Sequence, residues 1–304
     1  MKRITIIVPC YNEEEVLDTF YNEITKYFLP NYDFKLLFVN DGSKDNTLKI
    51  IKKLKEKDDR IKYISFSRNF GKEAAMLAGL KGAKDLNSDA CILIDADLQD
   101  PPSLILDMIK EYENGYKHIY AKHRTRAGEP KLKTFFALMF YKVYAFLTKD
   151  KNLSKGARDF CLMDKAVIDA FLEIKDKDRF TKGISSWVGF EKKCLEFDYI
   201  PRKAGKTKWS FKKLYAYAWM GIRQFSHVYK YVTKLSIIFS ILLLGFDLIY
   251  SIKMNNFNYQ ILILETLFIF VFIGIDVILR LLYDIRDQGL NRPIYIIEDS
   301  NINE

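Results

Sequence analysis

Short apolar segments alternate with longer segments of helical character through the first part of the chain. The apolar segments recur at fairly regular intervals, over residues 4–8, 36–39, 61–66 and 90–94. Such alternation is typical of βαβ units, in which helices connect parallel strands and cover both faces of the sheet. We therefore predict an α/β fold with a mainly parallel sheet.

Two later segments are much more apolar. Residues 235–252 contain Asp247 as their only charged residue, and residues 261–282 form the second segment. At about 1.5 Å per residue, the first would make a helix of roughly 27 Å, close to the hydrocarbon thickness of a bilayer. We predict a transmembrane hairpin, with a pair of buried helices in a soluble domain as the alternative. Basic residues concentrate at the outer ends of the hairpin, which predicts cytoplasmic termini.

The segment before the hairpin has the pattern of an amphipathic helix. Its aromatic and aliphatic residues follow helical spacing, whereas its lysines and arginines mark another side, as in helices at the headgroup level of a membrane. Residues 131–148 have a similar composition, and for them a core helix is an equal alternative. The predicted organisation is a catalytic domain over 1–209, an interfacial helix over 210–232, two transmembrane helices over 233–284 and a cytoplasmic tail over 285–304.

The charge and the cysteine and histidine content limit the partners and metal sites that the protein could have. The 304 residues carry a formal charge of +9, which is compatible with nucleic acid, an anionic membrane or phosphorylated substrates as partners. The four cysteines are scattered without a CxxC pair, which favours free thiols, and the three histidines lack zinc-ligand spacing. The N-terminal segment does not have the pattern of a signal peptide.

The candidate chemistry begins where the fourth apolar segment ends. Asp95 and Asp97 follow it directly, at the edge where open α/β sheets bind ligands. Carboxylate oxygens there suit Mg²⁺ or Mn²⁺, which would neutralise a substrate diphosphate. An acidic turn that binds nothing is the alternative for an isolated DxD.

Three other strand ends carry polar turns that belong to the same predicted edge. They are residues 8–14, with an aromatic, an amide and an acid; residues 40–43, which open a helix; and the basic turn over residues 67–72. Each turn has a capping or packing explanation by itself. Together with the DxD they predict a nucleotide pocket, although the dinucleotide and P-loop fingerprints are both missing from the sequence.

These motifs resemble those of a known family. Four segments are similar to those of inverting family 2 glycosyltransferases with the Rossmann-like GT-A fold. They are VPCYNEEE, FVNDGSKDNT, SRNFGKEAAMLAGL and DADLQDPP. Within this family, the chain resembles the group of polyprenyl-phosphate glycosyltransferases. The resemblance to this group rests on Arg124-Thr-Arg126, on residues 157–160 and 201–209, and on the two apolar C-terminal segments. The resemblance covers residues 3–297.

The resemblance implies roles for individual residues. Nucleotide-sugar binding falls to Pro9, Tyr11, Asn12, Glu13, Val39, Asp41, Lys72, Asp95 and Ala96. Catalytic roles fall to Asp97 and Asp159, and the metal ligands would be Asp95, Asp97 and Gln99. Phosphates of donor or acceptor would be bound by Arg124, Arg126, Arg202 and Lys208. One departure is Cys161, where the family often has arginine.

The function implied by the resemblance is transfer of a sugar from a UDP-sugar to undecaprenyl phosphate, with inversion and with Mg²⁺ or Mn²⁺ as cofactor. The enzyme would be a multi-pass protein of the plasma (inner) membrane with its catalytic domain in the cytoplasm, serving cell-envelope glycan modification. A phosphate acceptor, with a second pKa near ~6, is already largely dianionic and needs cations more than a base. The role of Asp159, whether orienting the sugar or stabilising the reaction centre, is left open.

Other functions are weighed against the same residues. A processive polysaccharide synthase should show a QxxRW segment, and a sugar nucleotidyltransferase a glycine- and arginine-rich N-terminal loop; the sequence has neither. A catalytically silent nucleotide-sugar-binding membrane scaffold would not need Asp95, Asp97 and Asp159 together. The expected partners are the donor, the lipid acceptor and the bilayer, without nucleic acid; a homo-oligomer is left open.

Overall fold

The fold is taken from a computed structural model that describes residues 1–124, 131–149, 156–198, 211–226, 228–254, 260–289 and 292–302. The chain divides into two compact units. The larger contains residues 1–224 together with 293–304, and the smaller contains residues 225–292. The larger unit therefore takes its residues from both ends of the chain.

The larger unit is built on one eight-stranded sheet. Its strands are β1 (Lys2–Cys10), β2 (Tyr32–Asn40), β3 (Ile61–Phe66), β4 (Ala90–Leu93), β5 (His118–His123), β6 (Ala157–Asp164), β7 (Lys192–Phe197) and β8 (Ile297–Ser300), in the spatial order β7-β5-β6-β4-β1-β2-β3-β8. The helices of the chain are α1 (Leu17–Ile24), α2 (Thr47–Lys57), α3 (Lys72–Asp85), α4 (Leu104–Glu113), α5 (Lys131–Thr148), α6 (Lys165–Glu173), α7 (Thr181–Trp187), α8 (Phe211–Phe225), α9 (Val228–Met254) and α10 (Gln260–Gly289), with a 3-10 turn at Thr25–Tyr27.

The four apolar segments of the N-terminal half become the parallel centre of this sheet, so the predicted α/β class is confirmed. β1 pairs in parallel with both β2 and β4, and β2 pairs in parallel with β3. Ile4, Ile6 and Ile7 on β1 are fully buried. Consecutive positions are buried because helices cover both faces of the sheet, which is why these strands read as continuous apolar runs.

The C-terminal segment differs from the tail predicted over 285–304. β8 pairs antiparallel with β3 and so forms one edge of the sheet. Asn301 follows it and is 1% exposed; its side-chain oxygen accepts a hydrogen bond from the backbone N–H of Tyr63 at 2.7 Å. The ring of Tyr295 stacks on Phe66 with 4.9 Å between centroids. These contacts make the C-terminal segment part of the larger unit.

Two helices that have the composition of membrane-surface helices, α5 and α8, have packing partners in the larger unit. On α5, Tyr144 is fully buried and its ring lies 5.8 Å from that of Phe180, which favours the core-helix alternative for 131–148. α8 is helical within the predicted 210–232 segment, and its Tyr217 ring lies 5.1 Å from Phe180.

The smaller unit contains α9 and α10. Phe239 on α9 and Phe270 on α10 face each other with ring centroids 5.9 Å apart. Among the helical residues that the structure describes, we find no stretch with the length and apolarity needed to cross a membrane. The transmembrane hairpin predicted over 233–284 is therefore not confirmed.

Candidate active site

The DxD residues lie just beyond the end of β4. The strand order reverses at this point, because β2 and β3 lie on one side of β1 and β4 lies on the other. Crevices at such reversals are where open α/β sheets bind ligands. Asp97 is 7% exposed and one of its oxygens accepts a hydrogen bond from the N–H of Gln99 at 3.1 Å. Asp95 is less buried, and Ala96 between them is 3% exposed.

Lys72 joins the DxD to the other predicted catalytic acid. Its ammonium lies 2.8 Å from a carboxylate oxygen of Asp95 and 2.6 Å from Oδ2 of Asp159. Lys72 begins α3 and Asp159 belongs to β6, so elements far apart in sequence meet here. The structure thus brings together three residues that the sequence assigns to nucleotide-sugar binding and catalysis.

The electrostatics of Asp159 follow from these neighbours. Burial raises the pKa of its carboxyl group, but the charges of Lys72 and Lys182 lower the pKa more, so the net pKa lies well below its ordinary value. Burial lowers the pKa of Lys72, but Asp159 and Asp95 outweigh that effect and the net pKa is raised. Both groups are therefore charged at neutral pH. Oδ1 of Asp159 is buried and accepts no hydrogen bond from the described residues.

An ion pair fixes the loop after the DxD. The guanidinium of Arg158 donates from Nε to Oδ1 of Asp100 at 2.9 Å. Burial raises the pKa of Asp100 to about 6, against the opposing charge of Arg158. Asp100 closes the DxD loop and Arg158 directly precedes Asp159 on β6, so this pair ties the two groups of acids together. The family resemblance implies no role for Arg158, although the residue lies within the motif over residues 157–160.

The turns after β1 and β2 are tied together by hydrogen bonds. Asn12 adopts a left-handed backbone conformation with φ of 53°. Its N–H donates to the hydroxyl of Ser43 at 2.9 Å, and its side-chain oxygen accepts from the N–H of Lys44 at 2.8 Å. The N–H of Glu13 donates to the hydroxyl of Thr47 at 2.8 Å. These hydrogen bonds fix the turn after β1, which contains Tyr11, against the segment that follows β2.

Pro9 and Val39 occupy neighbouring positions in the sheet, as partners in the β1–β2 register. Val39 is fully buried, whereas Pro9 is half-buried. Both belong to the last residues of their strands, next to the turns that carry Tyr11 and Asp41. Their predicted role in nucleoside binding stays a prediction.

Asp41 is bound to the protein rather than directed to solvent. It is 3% exposed, and its carboxylate accepts hydrogen bonds from the N–H of Phe70 at 2.7 Å and of Gly71 at 3.0 Å, and from the amide of Asn69 at 2.9 Å. Burial raises the pKa of Asp41 to about 6, opposed by the backbone hydrogen bonds. These contacts hold the turn that leads into Lys72, and a nucleoside contact stays a prediction.

Gly42 lets the turns after β2 and β3 approach each other. It has φ of +61°, and a Cβ at this position would lie 2.2 Å from the carbonyl carbon of Arg68. No other residue could occupy that space without moving the backbone. The close approach of these turns supports the contacts of Asp41.

Of the four residues predicted to bind phosphate, the structure locates only Arg124. Its N–H donates to the carbonyl of Phe197 at 2.8 Å, and its guanidinium lies 3.5 Å from the carboxylate of Asp198. Arg126, Arg202 and Lys208 lie outside the described residues. Cys161, the departure from the family pattern, is 7% exposed and pairs in register with Leu93 of β4.

The donor atoms at the DxD fit a divalent cation of the predicted kind. Within the described parts of the chain, no group of three or more acidic, histidine or cysteine side chains is arranged as a metal site. However, Mg²⁺ is commonly bound through one or two carboxylates together with water and substrate phosphates. Asp95 and Asp97 supply two such carboxylates just beyond the end of β4, with the half-buried Gln99 beside them. Metal binding there stays a prediction.

Two contributors to the site were not identified from the sequence. Lys182 at the start of α7 acts on Asp159 through its charge. Glu73 accepts hydrogen bonds from Thr181 and Tyr217. Lys182 lies outside the motifs named above and Glu73 has no assigned role within its motif, so only the tertiary structure reveals their convergence.

Comparison with known proteins gives the family. Residues 5–172 match the model of glycosyl transferase family 2. An uncharacterized glycosyltransferase of Synechocystis is 36% identical over 97% of this chain and 95% of its own length. The SfII prophage-derived bactoprenol glucosyl transferase of Shigella flexneri is 33% identical over 98% of each chain. The solved structure of S. aureus TarS 1-349 with UDP-GlcNAc has 19% identity and a TM-score of 0.47, covering 68% of this chain and 60% of its own. The chain belongs to glycosyl transferase family 2.

Proposed function

We propose that the protein transfers a sugar from a UDP-sugar to a polyprenyl phosphate, with inversion at the anomeric carbon. The observation that carries this proposal is the convergence of Asp95 and Asp159 on Lys72 at the carboxyl edge of β4, next to Asp97. A sugar nucleotide presents a diphosphate and a sugar side by side. Asp95 and Asp97 offer carboxylates that could bind a metal at the diphosphate, and Asp159 offers a partly buried carboxylate for the sugar.

The acceptor is supported by the relatives. The Shigella protein is named a bactoprenol glucosyl transferase, and it matches this chain over 98% of both lengths. UDP as the nucleotide rests on the resemblance of residues 207–211, with the sequence TKWSF, to the bacterial members of the group. A glucosyl or N-acetylglucosaminyl donor is proposed on the same basis.

The proposed reaction is a single displacement. An oxygen of the acceptor phosphate forms a bond to the anomeric carbon while the bond from that carbon to the donor diphosphate breaks, and UDP leaves with the electron pair. The acceptor is already largely dianionic at neutral pH, with a second pKa near ~6, so it needs no general base. Asp159, charged beside Lys72 and Lys182, then serves to orient the sugar and stabilise positive charge at its anomeric carbon.

Asp95 and Asp97, with Gln99, are the residues that would hold Mg²⁺ or Mn²⁺, and the ion would supply charge neutralisation of the leaving diphosphate. Lys72 adds a fixed positive charge on the Asp159 side of the DxD. Arg124, with Arg126, Arg202 and Lys208, would orient the acceptor phosphate through charge-assisted hydrogen bonds.

A polyprenyl acceptor is embedded in a bilayer, so the reaction has to take place at a membrane surface. We assign membrane attachment to the smaller unit. In support, α9 and α10 expose large apolar side chains, among them Ile252, which is 73% exposed, and Phe272, which is 66% exposed. Exposed apolar surface of this extent marks an interaction site rather than an ordinary protein surface.

Flotation of the purified protein with anionic vesicles tests the attachment of the smaller unit to a membrane. Protein that stays at the bottom of the gradient contradicts it.

Asp97→Asn tests the proposed role of Asp97 in metal binding. This change keeps the size of the side chain and the oxygen that accepts from the N–H of Gln99, but it removes the charge proposed to hold the metal. We expect transfer to fall by at least about a hundredfold with little change in thermal unfolding.

The assay incubates the protein in membranes with a panel of radiolabelled nucleotide sugars and measures label extracted into the lipid phase. Asp107→Asn, a change at an exposed acid on α4, is the matched control and should retain activity. Label that never enters the lipid phase, from any donor, rules out the proposed acceptor. Near-normal transfer by Asp97→Asn rules out the metal assignment.

A further inference from the structure

Glu73, the neighbour of Lys72 on α3, bonds to two other helices. Its carboxylate accepts hydrogen bonds from the hydroxyl of Thr181 at 2.5 Å and from the backbone N–H of Thr181 at 3.2 Å, at the first residue of α7. It also accepts from the hydroxyl of Tyr217 on α8 at 2.7 Å. We call Glu73, Thr181 and Tyr217 the Glu73 clamp. It joins the starts of α3 and α7 to the middle of α8.

The clamp is embedded in packed aromatic surface. Phe180, which precedes Thr181, is 1% exposed, and the ring of Tyr217 lies 5.1 Å from it. A Cβ at Gly221, one turn further along α8, would lie 3.0 Å from the Phe180 ring, so the backbone of α8 approaches closely. Burial raises the pKa of Glu73, whereas the donors from Thr181 and Tyr217 lower it. The three hydrogen bonds therefore compensate part of the cost of burying this carboxylate.

Two residues of the Glu73 clamp are direct neighbours of lysines that act on Asp159. Glu73 directly follows Lys72, and Thr181 directly precedes Lys182. Both lysines act on Asp159: Lys72 through an ion pair at 2.6 Å and Lys182 through its charge. The bonds between Glu73 and Thr181 thus fix two cation-bearing helix starts relative to each other. Movement of either start would change the charges beside Asp159.

We infer that the Glu73 clamp is a positioning device for sugar transfer, which holds Lys72 and Lys182 beside Asp159 and makes this arrangement depend on the docking of α8. The inference rests on the proposed function and extends it to residues to which that function assigns no substrate contact. α8 is the last element of the larger unit before the chain enters the smaller one. Displacement of α8 would remove the Tyr217 hydroxyl from Glu73 and loosen the two lysines, so transfer would slow while the nucleotide turns remain intact.

Two variants remove parts of the clamp with little change in packing. Tyr217→Phe removes the hydroxyl and keeps the ring against Phe180. Thr181→Val removes the hydroxyl and keeps the backbone N–H, and Thr181→Ser restores the hydroxyl. Tyr215→Phe is the matched control, because Tyr215 is on the same helix and is 65% exposed.

The readouts are kcat per folded molecule, KM for the donor, UDP affinity by titration calorimetry, and Tm. Tyr217→Phe and Thr181→Val should lower kcat about tenfold or more, as expected for small displacements of reacting groups. UDP affinity should change far less than kcat, because the turns that carry Tyr11 and Asp41 are held by hydrogen bonds in which Thr181 and Tyr217 take no part. Thr181→Ser and Tyr215→Phe should both transfer sugar at close to the wild-type rate. Unchanged kcat per folded molecule, with only Tm lowered, means a purely structural role and overturns the inference.

A second measurement separates failure of the clamp from failure of the proposed function. Acetic anhydride labelling, read by mass spectrometry, gives the reactivity of Lys72 and Lys182 without any transfer assay. Tyr217→Phe should increase labelling of both lysines severalfold over wild type, and Tyr215→Phe should not. If the wild-type protein transfers no sugar, the proposed function fails, and the clamp is then judged on this labelling alone. Equal labelling in wild type and Tyr217→Phe overturns the clamp.

Discussion

At the reaction centre, one ammonium group serves two carboxylates. Lys72 lies within 2.8 Å of Asp95 and 2.6 Å of Asp159. Without it, two negative charges would face the diphosphate of the proposed donor, which is itself negative, and like charges in a partly buried site repel strongly. The positive charge of Lys72 therefore lowers the repulsion that the proposed anionic donor would meet at this site.

Asp41 offers a prediction of pH dependence. Its pKa is raised to about 6 from an unfolded value of 3.8, so its contribution to stability is fully present below the unfolded pKa and is lost as the pH rises through the folded pKa. That loss amounts to about 3 kcal/mol at 1.36 kcal/mol per pKa unit. Asp41→Asn is less stable at every pH because it loses acceptors for the turn before α3, but it lacks this titration. Its deficit relative to wild type should therefore shrink as the pH rises.

Urea unfolding at about pH 4 and about pH 6.5 measures the two deficits. Asp107→Asn, at an exposed acid, serves as the control and should show no such change with pH. A deficit that is constant across this range would mean that Asp41 is charged in the folded protein throughout.

Residues at strand ends could be predicted from the sequence, whereas residues that meet through tertiary contacts could not. Asp95, Asp97 and Asp41 each follow an apolar strand, so a local pattern marks their positions. The contact between Glu73 and Tyr217 joins residues 144 positions apart. Nothing local at either residue indicates the other.

At the scale of elements, the edge strand β8 is the least predictable part of the sheet. The βαβ pattern of the first four strands is regular, because parallel strands buried on both faces have continuous apolar sequences. β8 is four residues long and its positions are largely exposed. It is held by pairing with β3 and by Asn301, and neither interaction leaves an apolar signature in the sequence.

Asn301→Ala tests the attachment of this strand. The change removes the acceptor for the buried N–H of Tyr63, which lies 2.7 Å from the asparagine oxygen. An unsatisfied buried backbone donor costs about 1–3 kcal/mol, so the free energy of unfolding should fall by that amount. The measurement is the shift in urea midpoint, with Glu298→Ala on the exposed side of β8 as the control. Equal midpoints for both variants would mean that the hydrogen bond between Asn301 and Tyr63 contributes nothing to the stability of the sheet.

At the scale of the whole molecule, the smaller unit is inserted between two parts of the larger one. Residues 1–224 and 293–304 form a single compact body, and residues 225–292 leave it and return. Deleting everything after residue 224 therefore removes an edge strand along with the smaller unit. A variant designed to isolate the larger unit has to retain the C-terminal segment.

Two shortened chains test this organisation. One ends at residue 224, and the other replaces residues 225–292 with a long glycine- and serine-rich linker. The linked chain should stay soluble, should unfold cooperatively and should bind UDP. The chain that ends at residue 224 should aggregate, because the open edge of β3 can pair with other chains. Light scattering and circular dichroism compare them, and equal solubility and stability of the two chains would contradict the role of β8.

The pairing of β8 with β3 also sets the order of events during synthesis on the ribosome. Tyr63 and its partner Asn301 are 238 residues apart. At roughly 5–20 residues per second, β3 emerges roughly 12–48 s before the segment that will cover it. The smaller unit is translated completely within that interval. The nascent chain must therefore protect an open strand edge while it makes a second folding unit, and the sheet closes last.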